Sequence, residues 1–122
     1  MHRFDINIHQ GTTFRMTLSW VDPAGDPIDL TGYAARMQVR MRYDTPTALV
    51  SLTESAGITL GGDQGTIAVE LTAVQTAAIA VARNTGVPPS DDYYYDLEVE
   101  APTGEVTRLV FGVARVYREV TR

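Results

Sequence analysis

The sequence contains no cysteine and no lysine, and it has no long apolar run. Without cysteine, neither a disulfide nor a thiolate–metal site can form. No segment approaches the ~20 apolar residues that a membrane-crossing helix needs, and the N-terminal residues lack the apolar core of a signal peptide. These absences predict a soluble protein made in the cytoplasm, with no membrane partner.

Positive charge is also scarce in this sequence. Ten arginines stand against fifteen acidic residues, which gives a formal net charge of −5. Binding to nucleic acid without sequence preference needs a basic face, so this balance predicts no nucleic-acid partner. A GC-rich genome accounts for the exclusive use of arginine, which is also compatible with arginines placed in protein–protein contacts.

Residues 93–113 have the pattern of one long β-hairpin. The first arm carries apolar or aromatic residues at every second position: Tyr93, Tyr95, Leu97 and Val99. This period of two is typical of a strand with one buried face. Pro102 and Gly104 suit the turn between the arms. A five-residue loop predicts three matched pairs: Leu97 opposite Leu109, Tyr95 opposite Phe111, and Glu98 opposite Arg108.

The remaining strands are predicted from shorter alternating segments. These segments are residues 1–10, 14–20, 35–41, 49–52, 58–60 and 67–71. The second segment should turn back so that Trp20 lies opposite Ile28 and Leu18 opposite Leu30. Residues 49–52 suit an edge strand, and the last two segments suit a glycine-rich hairpin. After them, alanine-rich residues 72–80 predict two or three helical turns with Thr72 as the N-cap.

Seven or eight short strands with turns at roughly 8–12 residue spacing predict the fold class. We expect an all-β fold with one short helix, arranged as an immunoglobulin-like antiparallel β-sandwich. A closed barrel is the alternative. No composition break or linker divides the chain, so residues 1–122 are predicted to form a single β-sandwich domain.

No residue pattern in the sequence suggests an active site. His2 and His9 lack a third metal ligand. The glycines of residues 57–65 lack the Gly-Lys-Ser/Thr element of a phosphate loop. Asp91, Asp92 and Asp96 lack the spacing of a calcium loop. The sequence therefore predicts no enzyme, no cofactor and no metal.

Four residues on two strands are candidates for contact with other molecules. Arg36, Arg40 and Arg42 share one strand face, which is either a solvated face paired with acids on a neighbouring strand or a docking face for an acidic partner surface. In the run of three tyrosines, alternation leaves Tyr94 exposed, and tyrosine rings stack on sugars. This ring therefore suggests a carbohydrate contact.

The final strand is predicted to be apolar on both faces. With Leu109, Phe111 and Val113 turned inward, the opposite face still carries four small or apolar residues: Val110, Gly112, Ala114 and Val116. Such a strand is covered either by another chain or by the helix. We predict another chain, with Val110, Ala114 and Val116 as its docking surface.

Several segments of the sequence also match a known family. They are Gln-Gly-Thr-Thr-Phe at residues 10–14, residues 20–25, Pro-Ile-Asp-Leu-Thr-Gly-Tyr at 27–33, and residues 35–40, 57–60, 95–99 and 103–109 with Gly112. Together they cover most of the chain, and the Gln-Gly-Thr and Pro-Ile-Asp-Leu-Thr-Gly elements are the specific ones. On these segments the sequence resembles small tailed-phage and prophage virion proteins, in particular the N-terminal domain of the siphophage baseplate upper protein.

The resemblance implies a β-sandwich adaptor in a multi-copy virion assembly, without catalysis. The upper protein continues into a long coiled linker, whereas this sequence ends at Arg122, so a place at the neck, along the tail or on the capsid fits as well as the baseplate. We therefore predict a structural virion protein, made in the host bacterial cytoplasm, that docks as a ring on larger virion proteins. The alternatives are a capsid decoration protein and a carbohydrate-binding module for host-surface glycans.

Overall fold

The computed structural model describes residues 2–121, so Met1 and Arg122 of the predicted domain lie outside the described residues. Within them the elements are β1 (His2–Arg3), β2 (Ile6–His9), β3 (Phe14–Ser19), β4 (Ala34–Arg40), β5 (Val50–Glu54), β6 (Gly57–Leu60), β7 (Thr66–Leu71), α1 (Ala73–Ala77), β8 (Ser90–Glu100) and β9 (Val106–Tyr117). A 3₁₀ turn occupies Gly62–Gln64. The predicted all-β class with one short helix is confirmed.

The strands form a curled sheet with the order β1-β9-β8-β4-β5-β6-β7-β3, and β2 follows β1 along the same side of β9. The inner faces of the two halves share a continuous apolar cluster. The molecule is therefore an immunoglobulin-like β-sandwich, as predicted. Most neighbouring strands are antiparallel, but β1 and β2 run parallel to β9, and β5 runs parallel to β6.

The core is built by the alternation read from the sequence. In β8 the four inward residues are almost fully buried: Tyr93, Tyr95, Leu97 and Val99. In β4 the same holds for Ala35, Met37 and Val39. Each large apolar side chain buried in this way contributes about 1.5–3 kcal/mol to stability. The centre of the sheet therefore holds much of the free energy of folding.

The β8–β9 hairpin follows the predicted register only near its turn. Glu98 lies opposite Arg108, as predicted, but Leu97 lies opposite Val110 and Tyr95 opposite Gly112. The ladder shifts by one residue there, which leaves Leu109 as an extra residue in β9. The predicted pairs of Leu97 with Leu109 and of Tyr95 with Phe111 are therefore wrong. Beyond the bulge, the shift exchanges the inner and outer faces of β9.

The N-terminal hairpin is confirmed at its tip alone. The N–H of Ile28 donates to the O of Trp20 over 2.9 Å, as the predicted pairing requires. Leu18, however, lies opposite Ile67, because β3 pairs with β7 instead of continuing along the returning arm. The predicted β6–β7 hairpin is confirmed. Residues 49–52 were expected at an edge, but β5 lies between β4 and β6.

The helix begins as the sequence predicts and ends earlier. Thr72 Oγ1 accepts the backbone N–H of Gln75 over 3.2 Å, and Gln75 Oε1 accepts the N–H of Thr72 over 2.8 Å, which makes a capping box. Only five residues are helical, because the chain leaves the helix at Ala78 and buries Ile79 in the core. The hydroxyl of buried Thr76 donates to the O of Thr12 and ties the helix to the β2–β3 connection.

Candidate functional site

The apolar docking surface predicted on β9 lies in the core. Val110 is 7% exposed, and Ala114 and Val116 are fully buried in the same cluster as Tyr93 and Ile8. The bulge at Leu109 turns these three side chains inward, where the chain's own residues cover them. The prediction that they bind another chain is therefore wrong.

The opposite surface of the same strands brings together three of the predicted residues. We call it the outer face and define it as the following solvent-facing side chains of β4, β8 and β9: Arg36, Gln38, Arg40, Asp92, Tyr94, Asp96, Glu98, Arg108, Phe111, Val113 and Arg115. It contains the predicted Arg36, Arg40 and Tyr94. Arg42 lies beyond the end of β4, in an exposed bend where its N–H donates to Thr45 Oγ1.

Ion pairs cross the outer face from strand to strand. The contacts join Arg36 Nε to Glu98 Oε1 at 2.9 Å, Arg108 Nε to Asp96 Oδ2 at 3.3 Å, and Arg115 Nε to Asp92 Oδ1 at 2.8 Å. The pairing of Arg36 confirms that acids on the neighbouring strand meet this arginine. The hydrogen bond from Arg115 holds the pKa of Asp92 below its usual value. Exposed pairs of this kind each contribute at most about 1 kcal/mol, so they order the face more than they stabilise the fold.

A shallow cleft of about 210 Å³ opens in the outer face. Its lining includes Gln38, Arg40, Tyr94, Asp96, Arg108, Phe111 and Tyr43 from the loop after β4. Burial raises the pKa of Asp96, while the positive charge of Arg108 acts in the opposite direction. The Arg40 guanidinium donates to Gln38 Oε1 over 2.8 Å and to the O of Thr45. This arginine is therefore held in place before any partner arrives.

Two tyrosines form the aromatic rim of the cleft. The rings of Tyr43 and Tyr94 meet edge to face, with centroids 5.2 Å apart and planes at 87°. Tyr43 is 70% exposed and Tyr94 is 37% exposed. The sequence analysis did not place Tyr43 in a site, because this residue lies in the loop after β4. The sequence analysis also predicted that the Phe111 side chain points inward, because alternation alone does not reveal a bulge.

The described histidine and acidic side chains do not form a candidate metal centre. No group of three or more histidine or acidic side chains among them is placed to hold a metal ion. His9 stacks on Tyr117 with ring centroids 4.9 Å apart, and Asp91 accepts the N–H of Ala82. No helix in this part of the chain is long and apolar enough to cross a membrane. Chemically, the outer face can offer stacking rings, guanidinium groups and carboxylates to a partner.

Comparison with known proteins gives a limited result. No family model matches the sequence, and no curated protein matches it. The solved structures similar to this chain include extracellular domains of the voltage-gated sodium channel beta4 subunit, described as parallel homodimers with a role in cell–cell adhesion. That structure has a TM-score of 0.45 and 11% identity, over 97% of this chain and 93% of the other.

Two further structures show similarity of the same order. One comes from photo-crosslinking work on multimeric cell-adhesive interactions of sodium-channel beta subunits, with a TM-score of 0.43 and 13% identity over 92% of this chain and 91% of the other. The other is Drosophila OTK, extracellular domains 3–5, with a TM-score of 0.33 and 17% identity over 94% of this chain and 32% of the other. All three TM-scores lie below 0.5, so these similarities assign no function to this chain.

Proposed function

We propose that this chain is a non-enzymatic structural protein that binds other proteins through its outer face. The observation that carries the proposal is the cleft rimmed by Tyr43 and Tyr94, with Arg40 held beside it. Tyrosine and arginine are enriched among the residues that dominate protein–protein binding energy. Side chains that are already ordered lose less conformational entropy on binding, which favours affinity.

We further propose that the partners are larger proteins of a tailed-phage virion, bound in multiple copies as a ring at the tail, baseplate or neck. The support is the resemblance of the sequence to virion adaptor proteins. One of its two specific segments makes a corner of the fold, where Asp29 Oδ1 accepts both the N–H and the hydroxyl of Thr31 and Leu30 is buried. The resemblance thus includes residues that build the sandwich. Capsid decoration is the alternative location.

The test uses phage particles assembled in cells that supply this chain from a plasmid. The variants are Tyr43→Ala and Tyr94→Ala, with Val74→Asp as the control because Val74 is 80% exposed on the helix. Purified particles are analysed by quantitative mass spectrometry, and thermal melts confirm that each variant is folded. We expect particles to contain at least about tenfold less of each tyrosine variant than of the control variant. This corresponds to a loss of about 1.4 kcal/mol of binding free energy, which is typical of an interface anchor.

Two different results would contradict different parts of the proposal. If the wild-type chain is missing from purified particles, the virion assignment fails. If both tyrosine variants are incorporated as well as the control, the outer face is not the docking surface.

Carbohydrate binding is a second candidate function for the same cleft. The favouring observation is that exposed tyrosine rings lie beside the polar groups of Gln38 and Asp96, a combination suited to stacking on a sugar and bonding its hydroxyls. A glycan array separates the two functions. Specific binding that is lost in Tyr94→Ala supports the carbohydrate function, and an array without binding removes it.

A further inference from the structure

The curled sheet is open along one side, where its first and last strands approach each other. Strands β1 and β3 end the sheet order, and a cleft of about 350 Å³ lies between them. Residues of both strands line this cleft, with Leu109, Val110 and Ile67 also contributing. We call it the seam. It lies apart from the outer-face cleft and shares no lining residue with it.

The walls of the seam are largely apolar and incompletely covered. The inward side chains of β3 are only half-buried, in contrast to those of β4 and β8: Phe14, Met16 and Leu18, the last of which lines the seam. Phe4 and Val21, which also line the seam, are 49% and 48% exposed. Large apolar side chains that remain exposed together in a cleft indicate a binding surface.

The backbone of β3 also presents a free edge. The N–H of Trp20 donates to the O of Gly65 over 2.8 Å, so the even-numbered residues of this strand point their backbone groups toward β7. The N–H and C=O groups of Arg15, Thr17 and Ser19 therefore point the other way. Within the described part of the chain, β3 is paired with β7 alone. An edge of this kind can accept another strand.

We propose that the seam binds an extended segment of a partner protein, which adds to β3 as a further strand and inserts an apolar side chain at every second position. The free edge matches an extended main chain, and the half-buried side chains of Phe14, Met16 and Leu18, which follow this edge at every second position, match alternating apolar side chains. A second copy of this domain fits less well, because the seam is lined from both sides and has room for a few side chains only. This proposal does not depend on the outer face or on a virion location.

The test uses a short capped peptide in which valine and isoleucine alternate with threonine. The control peptide has the same composition with the apolar residues grouped together. Amide hydrogen exchange is followed in the wild-type protein with and without each peptide. We expect the alternating peptide, but not the control peptide, to slow exchange of the Arg15, Thr17 and Ser19 amides by at least about tenfold. The reason is that these N–H groups gain hydrogen-bond partners.

A pair of substitutions at one position separates the backbone edge from the side chain. Thr17→Pro removes an N–H that faces away from β7, which edge strands tolerate, whereas Thr17→Val keeps it. We expect the proline variant to bind the alternating peptide at least about tenfold more weakly than the valine variant. Circular dichroism establishes that both are folded.

Three outcomes would overturn the proposal. The first is that the alternating peptide protects none of the three amides, and the second is that it protects amides of the outer face instead. The third is protection of the same amides without peptide that increases with protein concentration, because the occupant is then a second copy. If Thr17→Pro does not fold, the exchange measurement on the wild-type protein still decides between these outcomes and the expected one.

Discussion

Strands β8 and β3 carry the same alternation of apolar and polar residues, but the structure buries them to different degrees. The inward side chains of β8 are no more than 5% exposed, whereas those of β3 are all partly exposed. Strand β8 lies between β4 and β9, while β3 ends the sheet order. In these two regular strands, alternation therefore predicts which face turns inward. The number of neighbouring strands determines how completely that face is covered.

The largest effect on stability is expected when one leucine in each strand is truncated to alanine. Leu97 is fully buried in β8, and Leu18 is half-buried in β3. We expect Leu97→Ala to lower the free energy of unfolding by about 2–5 kcal/mol, because it leaves a cavity in a closed core. Leu18→Ala should cost about 1 kcal/mol, because its side chain is already partly in water. Urea denaturation measures both, and equal losses would show that the two strands are equally important to the core.

A second test concerns a close backbone approach between β9 and the N-terminal segment, next to β8. A Cβ added to Gly112 would lie 2.6 Å from the backbone O of Phe4, which is closer than atoms can pack. Gly112→Ala should therefore push the N-terminal segment away from β9 and cost about 1–3 kcal/mol, as overpacking does. Val113→Ala, on the neighbouring outward position, is the matched control and should cost less. Thermal unfolding distinguishes the two, and a neutral Gly112→Ala would mean that this segment moves freely.

A third test uses the hydroxyl group of Tyr95, which joins β8 to the N-terminal segment. Tyr95 lies opposite Gly112, and its hydroxyl donates to the O of Phe4. Tyr95→Phe removes this hydrogen bond and should cost about 0.5–1.5 kcal/mol at neutral pH. Tyr94→Phe is the control, because the Tyr94 ring lies on the outer face. Urea denaturation at neutral pH measures the loss, and a Tyr95→Phe variant as stable as the wild type would rule out a stabilising role for this bond.

The same tyrosine predicts how stability changes at alkaline pH. Burial, with a further contribution from the Asp5 charge, raises the pKa of Tyr95 to about 12, from 10.0 for a free tyrosine. The folded state thus favours the neutral phenol. This stabilisation is complete below pH 10 and is lost as the pH rises toward 12. Unfolding curves across this range should show a smaller decline for Tyr95→Phe, and an unchanged decline would contradict the assignment. Tyr93, whose pKa burial also raises, contributes a residual slope of the same sign.

The smallest effects on stability are expected when surface ion pairs near the centre and at the edge of the sheet are broken. Arg36 pairs with Glu98 in the centre, and Arg15 pairs with Glu70 at the edge, at 2.9 Å and 3.3 Å. Because both arginines are at least half exposed, each substitution by alanine should change the free energy of unfolding by less than about 1 kcal/mol. A loss several times larger at Arg36 alone would show that the central pairs form a cooperative network.

Local patterns predicted a large part of the fold. The inward residues of β4 and β8, the turn with Pro102 and Gly104, and the cap at Thr72 were all read correctly, because each depends on neighbours in sequence. The parallel pairing of β1 and β2 with β9 was not predicted. Alternation shows that a segment is a strand, but it does not name the strand's partner.

The site was predicted less well, for a physical reason that lies in one strand. Leu97 finds an apolar partner whether Leu109 or Val110 lies opposite it, so pair matching does not distinguish the two registers. The contact that favours the observed register joins residues far apart in sequence. Only glycine at position 112 leaves room for the backbone O of Phe4. The arginine and tyrosine residues were identified, but their meeting with Tyr43 depends on how the loop after β4 folds back.

The extra residue at position 109 decides which side chains of the last strand turn inward. A regular ladder of the same length would turn Phe111 and Val113 into the interior and expose Ala114 to water. Deleting Leu109, in contrast, would leave Val110 and every later residue opposite the same partners as now. A strand shortened at this point therefore keeps the two surfaces of the domain, whereas a full-length strand without its bulge exchanges them.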